Sequence, residues 1–361
     1  MDRIRTNFLW AALLLTQASA ALASTTWYVN GVTGSDSNPC LTSQAPCKTI
    51  GHAISKSASG DSIRVAAATY TENLTIGFSL NVIGSGARTT IIDGGRKNRV
   101  VTVSTVGVVS ISNVTIRNGY AGSGAGIFNQ AILTINNSTV SGNEAVSGYF
   151  HFATGGGISN IGTLTLNNST VSGNFGTCGS LPCFPILGGG INNGFGTLTI
   201  NNSTITGNRA TEGGGILNRY GILTISNSTV SGNGAYSGGG GIFGVATLQN
   251  SILADNGYGG NCHGSVSSIF SLSSDNTCDL DGPGDLNNTD PKLGTLGYYG
   301  GPTQTIPLLS GSRAIDAGNP SGCTDQKGHL LKTDQRGLPR PDQEDKGGCD
   351  MGAYESQRDQ P

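Results

Sequence analysis

The stretch LTINNSTVSGN at 133–143 returns as LTLNNSTVSGN at 164–174, LTINNSTITGN at 198–208 and LTISNSTVSGN at 223–233. A weaker copy, ATLQNSILADN, occupies 246–256. A glycine run ending in Ile127, Ile158, Ile191, Ile216 or Ile242 precedes each copy. The closing asparagines Asn143, Asn174, Asn208, Asn233 and Asn256 are 31, 34, 25 and 23 residues apart. Periods of this size mean stacked units, each burying its apolar face against its neighbours. Leu133 and Ile135 alternate with Thr134 and Asn136, and no proline interrupts any copy. That is strand patterning; the apolar spacing of a helix is missing throughout. Roughly 24 residues per unit allow three short strands and three corners, one turn of a parallel β-helix with strands about 4.8 Å apart along the axis.

The asparagines follow from that geometry. An Asn at the same corner of every coil can bond the copies above and below it, as side chains do in stacked β-structure. The closing asparagines form one such column. Asn137, Asn168, Asn202, Asn227 and Asn250 are expected to form a second. Asn137 and Asn168 also stand in Asn-x-Ser/Thr patterns, which a glycan could use; the ladder explains them without one. The outward column Thr134, Thr165, Thr199 and Thr224 suggests an ice-binding face only weakly, because Thr is ordinary on exposed strands.

The chain has 361 residues, 58 of them glycine, with 12% charged and a net charge of −2. No basic excess points to nucleic acid. Positions 1–23 have the pattern of a secretory signal: Arg3 and Arg5, an apolar run over 8–15, and Ala21-Leu22-Ala23 as cleavage site. Ala18-Ser19-Ala20 is an alternative site. No later run is long enough to span a bilayer. No cysteine lies near the cleavage sites for lipid attachment, so the mature chain is expected to be released or held non-covalently. Eight cysteines suit an exported protein. They fall into local couples, Cys40 with Cys47, Cys178 with Cys183, Cys262 with Cys278 and Cys323 with Cys349, although eight cysteines allow 105 pairings. Their spacings are not those of a zinc site, and neither a metal nor a cofactor is expected.

The organisation read from the sequence is a signal at 1–23, a cap and first strands at 24–76, coils at 77–256 and a polar, acid-rich tail at 257–361. Within the cap a short helix is expected over 50–57, covering an open strand edge, and a strand over 62–65.

Two resemblances accompany this reading. The coils are similar to the repeats of polymorphic outer-membrane proteins, through Gly156-Gly157-Ile158 and Val171-Ser172-Gly173-Asn174. The tail carries, in order, Asp285-Leu286, Asp290-Pro291, Gly300-Gly301-Pro302-Thr303, Ala314-Ile315-Asp316-Ala317-Gly318, Asp334-Gln335-Arg336-Gly337, Arg340-Pro341 and Cys349-Asp350-Met351-Gly352-Ala353-Tyr354-Glu355. It resembles the choice-of-anchor Q domain of bacterial surface proteins, a family of right-handed parallel β-helices. Arg313 departs from that family, which often has a small residue or proline there. The resemblance implies a surface or extracellular location and assigns no reaction.

Parallel β-helices include pectin and pectate lyases and polygalacturonases, whose chemistry needs carboxylates, as acid and base or as Ca²⁺ ligands. Between Val101 and Asn250 this chain has only Glu144 and Glu212. In the tail, Asp279, Asp281 and Asp285 could ligate Ca²⁺, but no glutamate closes the loop at EF-hand spacing. His52, His263 and His329 stand isolated in polar segments. One corner concentrates the remaining chemistry. Insertions after Asn143 and Asn174 should stack side by side, carrying Tyr149, Phe150, His151, Phe152, Phe175 and Phe184, with Arg209, Glu212 and Tyr236 beside them. The rings could simply bury one another and pin two long loops, or they could wall a groove for glycan or a partner. The expected function is surface presentation: adhesion, glycan contact or envelope structure, with polysaccharide or a cell-envelope component as partner. The alternative is a polysaccharide lyase or glycoside hydrolase with its site at 144–152, 175–187 and 209–212. The scarcity of acids leans away from an enzyme.

Overall fold

Strand Thr163–Asn167 shows how the phrase builds a coil. Leu164 and Leu166 turn inward and are fully buried, while Thr163, Thr165 and Asn167 face out. Leu164 stands in register with Leu133 below and Leu198 above, and Leu198 with Leu223. Like side chains therefore stack on like through the core, and each fully buried Leu or Ile contributes about 1.5–3 kcal/mol. The computed structural model describes residues 24–104, 107–148, 151–179, 184–325, 328–342 and 348–357.

Parallel sheets of ten, nine and eight strands run along one solenoid, and sheets of five and two strands flank its middle coils. Each regular coil contributes four strands rather than the expected three. In one coil they are Ile158–Asn160, Thr163–Asn167, Thr170–Ser172 and Phe175–Cys178. The extra strand arises because Gly173 turns the chain at φ 62° and the residues after Asn174 stay extended before the next glycine run. The coils also run past 256: Cys262–His263, Val266–Ile269 and Leu272–Ser273 stack on the last repeat.

The first asparagine column is a continuous ladder. Nδ2 of Asn143, Asn174, Asn208 and Asn233 donates to Oδ1 of the next Asn at 2.9, 3.0, 2.9 and 3.0 Å, and Asn256 continues it to Asn261 at 2.9 Å. The second column is not a ladder. Asn137, Asn168, Asn202, Asn227 and Asn250 take left-handed φ of 45–50°, a conformation Asn tolerates at corners. That turn aims the amides away from the stacking direction, so that Asn202 and Asn227 donate to Thr333 O and Thr324 O of the tail. Only Asn250 bonds along its column, to Asn227 at 3.2 Å. A second buried ladder forms elsewhere, through Asn129, Asn160, Asn193 and Asn218 at 2.7–2.8 Å.

The helix Ile50–Lys56 matches the expected cap. Thr49 Oγ1 accepts from His52 N, and the Glu72 carboxylate accepts from Ile50 N and Gly51 N at 2.9 and 2.7 Å. Its buried residues Ile50, Ala53 and Ile54 join the core and close the first coil. The tail lies back along the nine-stranded sheet. Gln335 Nε2 donates to Thr170 Oγ1 and its Oε1 accepts from Thr204 Oγ1. Arg340 bridges Asn202 Oδ1 and Glu355 Oε2 at 2.9 and 2.6 Å. Ala353 N reaches Thr229 Oγ1. The Asp334-Gln335-Arg336-Gly337 and Cys349 to Glu355 motifs are thus the docking surface of the tail. Met351 and Ala314 form a second apolar cluster with Ile252 and Leu272.

Disulfides join Cys40 to Cys47, Cys262 to Cys278 and Cys323 to Cys349, which suits an oxidising extracellular compartment. Cys178 is also oxidised, and the remaining cysteine, Cys183, lies outside the described residues. No described helix is long and apolar enough to cross a membrane.

Candidate functional site

The inserted loops leave adjacent coils and stack as the repeat spacing predicts. Glu144–Ser147 pairs with Phe175–Cys178, and Ala153–Thr154 with Ile186–Leu187. Gly176 is required here, because a Cβ on it would lie 2.2 Å from Ile186 Cγ2. Phe152 and Phe184 meet edge to face at 5.5 Å, so these two rings fasten one loop to the other. His151 is exposed, and its backbone bonds that of Gly148 in both directions at 3.2 Å. Tyr149 and Phe150 lie outside the described residues.

A groove begins one coil further on. In the five-stranded sheet, Tyr120, Glu144, Phe175, Arg209 and Gly234 occupy successive coils in register, and Gly257 bridges to Gly234. Above Arg209 the column is thus bare backbone. Two cavities open along it. One of about 420 Å³ is lined by Phe175, Ile186, Ala210, Arg209 and Tyr236. The other, of about 480 Å³, is lined by Arg209, Tyr236, Asp255 and Tyr258. Arg209 and Tyr236 line both, which makes the two a continuous trough. Tyr236 and Tyr258 are 84% and 81% exposed, with centroids 6.4 Å apart. Such exposure leaves their ring faces free for an apolar or sugar surface.

The charges divide sharply. Arg96 pairs with Glu144, whose other oxygen accepts from Thr177 Oγ1 at 2.6 Å. Arg219 pairs with Glu212 at 2.7 Å. Arg117 pairs with Asp93 at 2.8 Å. Arg209 makes no ion pair among the described residues and lies open in the trough. Asp255, on the far wall, has its carboxyl pushed above the usual range, by partial burial first and then by Asp290.

Sequence reasoning placed Phe175, Arg209 and Tyr236 at one corner, and the structure brings them to one trough. Phe152 and Phe184 fasten the loops, while Glu212 sits in another column, bridged to Leu187. Tyr258 and Asp255 were missed because the repeat phrase fades there. The sequence signal was the tyrosine two residues after Asn256, which lies close to the register of Tyr236 after Asn233. Several of the other acids and histidines have partners elsewhere. Asp285 accepts from Ser268 Oγ, Ser271 N and Gly282 N. His263 stacks on Phe243, and His329 pairs with Asp325. His52 turns a buried Nε2 inward, beside the Cys40–Cys47 disulfide.

Among solved structures the chain is similar to pectate lyase Pel9A, at 15% identity and a TM-score of 0.50 over 93% of this chain and 97% of that one. The fold is a right-handed, pectin-lyase-like parallel β-helix. Lower likenesses are to pectin methylesterase PemA from Erwinia chrysanthemi (14% identity, TM-score 0.40, 72% of this chain and 81% of that) and GH136 lacto-N-biosidase from Eubacterium ramulus (12% identity, TM-score 0.33, 69% of this chain and 57% of that). Identities this low speak to fold and leave the chemistry open. No protein-family model matches the chain, and no curated protein sequence does.

Proposed function

We propose that the protein is an exported β-helix that works by presenting a surface, and that the Arg209–Tyr236–Tyr258 trough is where it contacts glycan. The observation that carries this is the bare glycine floor beside two exposed tyrosines and an Arg with no acid partner among the described residues. Tyrosine faces suit the C–H faces of sugars, and the guanidinium suits a hydroxyl or acidic substituent. The tail supports placement among choice-of-anchor Q-like surface proteins, since the motifs that carry that resemblance are the ones that dock it. The division at 23 and 76 belongs to the same proposal, with 1–23 as the export signal and the coils running on to Ser273 before the tail begins.

The alternative is a lyase or hydrolase at the same corner. Against it, both shaft carboxylates are held by arginines and stand in different columns. A glycan array combined with product detection separates the two. A binder retains oligosaccharide unchanged, and Tyr236→Ala with Tyr258→Ala weakens retention about tenfold, as two lost ring contacts of about 0.5–1.5 kcal/mol imply. Release of unsaturated or reducing ends, lost on Glu144→Gln with Glu212→Gln, would establish the enzyme instead.

A further inference from the structure

Away from the trough, the corner that leads into the ten-stranded sheet carries an apolar ridge. Its turn tips in four successive coils are Ile161, Phe195, Tyr220 and Val245, exposed by 44, 74, 68 and 64%. Phe195 and Tyr220 stack at 5.1 Å and 15°, close to the coil spacing of about 4.8 Å. The ring faces therefore meet each other along the axis and the edges turn outward, a poor platform for sugar. A Cβ on Gly194 would touch Ile161 Cγ2 at 3.9 Å, so Ile161 continues the row. Val108, Ile132 and Ile222 flank it at the starts of strands Val108–Ser112, Ile132–Asn136 and Ile222–Ser226. The four tips make an unbroken apolar row across four coils, with Ile222 beside it 64% exposed, and a contiguous exposed apolar row of this kind marks an interaction surface.

The ridge is also neutral. The six strands of this sheet between 108 and 249 contain no charged residue. The one charge beside the tips, Arg219, is held by Glu212. A charged partner finds nothing to pair with here. The order of the tips is aliphatic, aromatic, aromatic, aliphatic, the same read in either direction. A two-fold axis between Phe195 and Tyr220 lays Ile161 on the second copy's Val245, and Phe195 on the second copy's Tyr220. That is the self-complementarity an isologous contact requires.

We propose that this ridge is the interface of an antiparallel homodimer, two copies of this chain side by side with their solenoid axes opposed. Sedimentation equilibrium on the full chain tests it. The expected mass is twice that of the monomer, unchanged by free oligosaccharide. Phe195→Lys with Tyr220→Lys brings like charges together across the two-fold and weakens association at least a hundredfold, with the melting temperature of the fold retained. Mixing that variant with Phe195→Glu and Tyr220→Glu restores a dimer of one copy each. If the double variant fails to fold, Tyr220→Lys alone gives the same reading at smaller effect. A wild-type chain that stays monomeric, a lysine variant that folds and still dimerises, or growth into open-ended oligomers overturns the proposal.

Discussion

Asn208→Ala tests whether the asparagine ladder holds the coils together. Asn208 Nδ2 donates to Val171 O at 3.0 Å and Asn233 Oδ1 at 2.9 Å. Its Oδ1 accepts from Asn174 N at 2.9 Å and Asn174 Nδ2 at 3.0 Å. Truncation does not orphan all four partners. Asn174 Nδ2 keeps Val140 O, and Asn233 Oδ1 keeps Asn208 N. Asn174 N–H loses its partner in a fully buried site, whereas Val171 C=O, in the paired strand Thr170–Ser172, gives up one of two bonds. A buried backbone group left unmet costs about 1–3 kcal/mol. The expected loss is therefore about 2–4 kcal/mol once the weakened groups are included. The comparison variant is Asn136→Ala, which gives up one bond, from Asn167 Nδ2, at a half-exposed site that water can replace. It should cost under about 1 kcal/mol. Urea unfolding followed by far-ultraviolet dichroism measures both, with the slope checked because coil arrays can unfold in stages. Equal losses in the two variants, or a loss under about 1 kcal/mol for Asn208→Ala, would refute the view that these bonds stabilise the stack.

Three further outcomes are expected. Asp350, pushed up to about 8 by burial and by Glu355, holds a proton in the fold that the unfolded chain releases near 3.8. Stability from this group is complete below about pH 4 and is lost as pH rises toward 8, by roughly a few kcal/mol, so the melting temperature should fall over that window and fall less in Asp350→Asn. Gly176→Ala should cost about 1–3 kcal/mol through overpacking, and Ile186→Ala should recover most of it in a double-mutant cycle. Glu144→Gln, which breaks the pair with Arg96, should cost about 1–2 kcal/mol and leave oligosaccharide retention unchanged; a loss of retention at wild-type stability would place Glu144 in the binding site.

What the sequence disclosed was whatever recurs at a fixed phase. The inward Leu and Ile, the closing asparagines and the stacked insertions all repeat, so periodicity finds them. The second asparagine column repeats just as well and was misread, because spacing says nothing about φ. At 45–50° Asn202 and Asn227 turn their amides off the axis, and the same residue type changes from a rung to a clasp for the tail. The Asn129 to Asn218 ladder was overlooked inside turns of unequal length, where its phase drifts. Tyr258 lies past the last clear copy. The docking of Gln335 and Arg340 joins residues 131–165 positions apart, and no local pattern encodes such a pairing.

The tail makes those joins at several levels of the stack. Thr303 reaches Asn168, Gln335 spans Thr170 and Thr204, Thr324 meets Asn227, and Asn319 meets Asn250. A solenoid held only by neighbours can peel from its free end one coil at a time. Here peeling is blocked, because the last coil cannot leave while a strap fixed several coils away still crosses it. The strap follows the coils in the chain, so it is made after them. Coils can stack as they appear, but they stay reversible until the residues up to Glu355 arrive and close the clasp. Assembly is thus a zipper in the making and a lock once made, and a chain cut before Asp334 would keep the zipper and lose the lock.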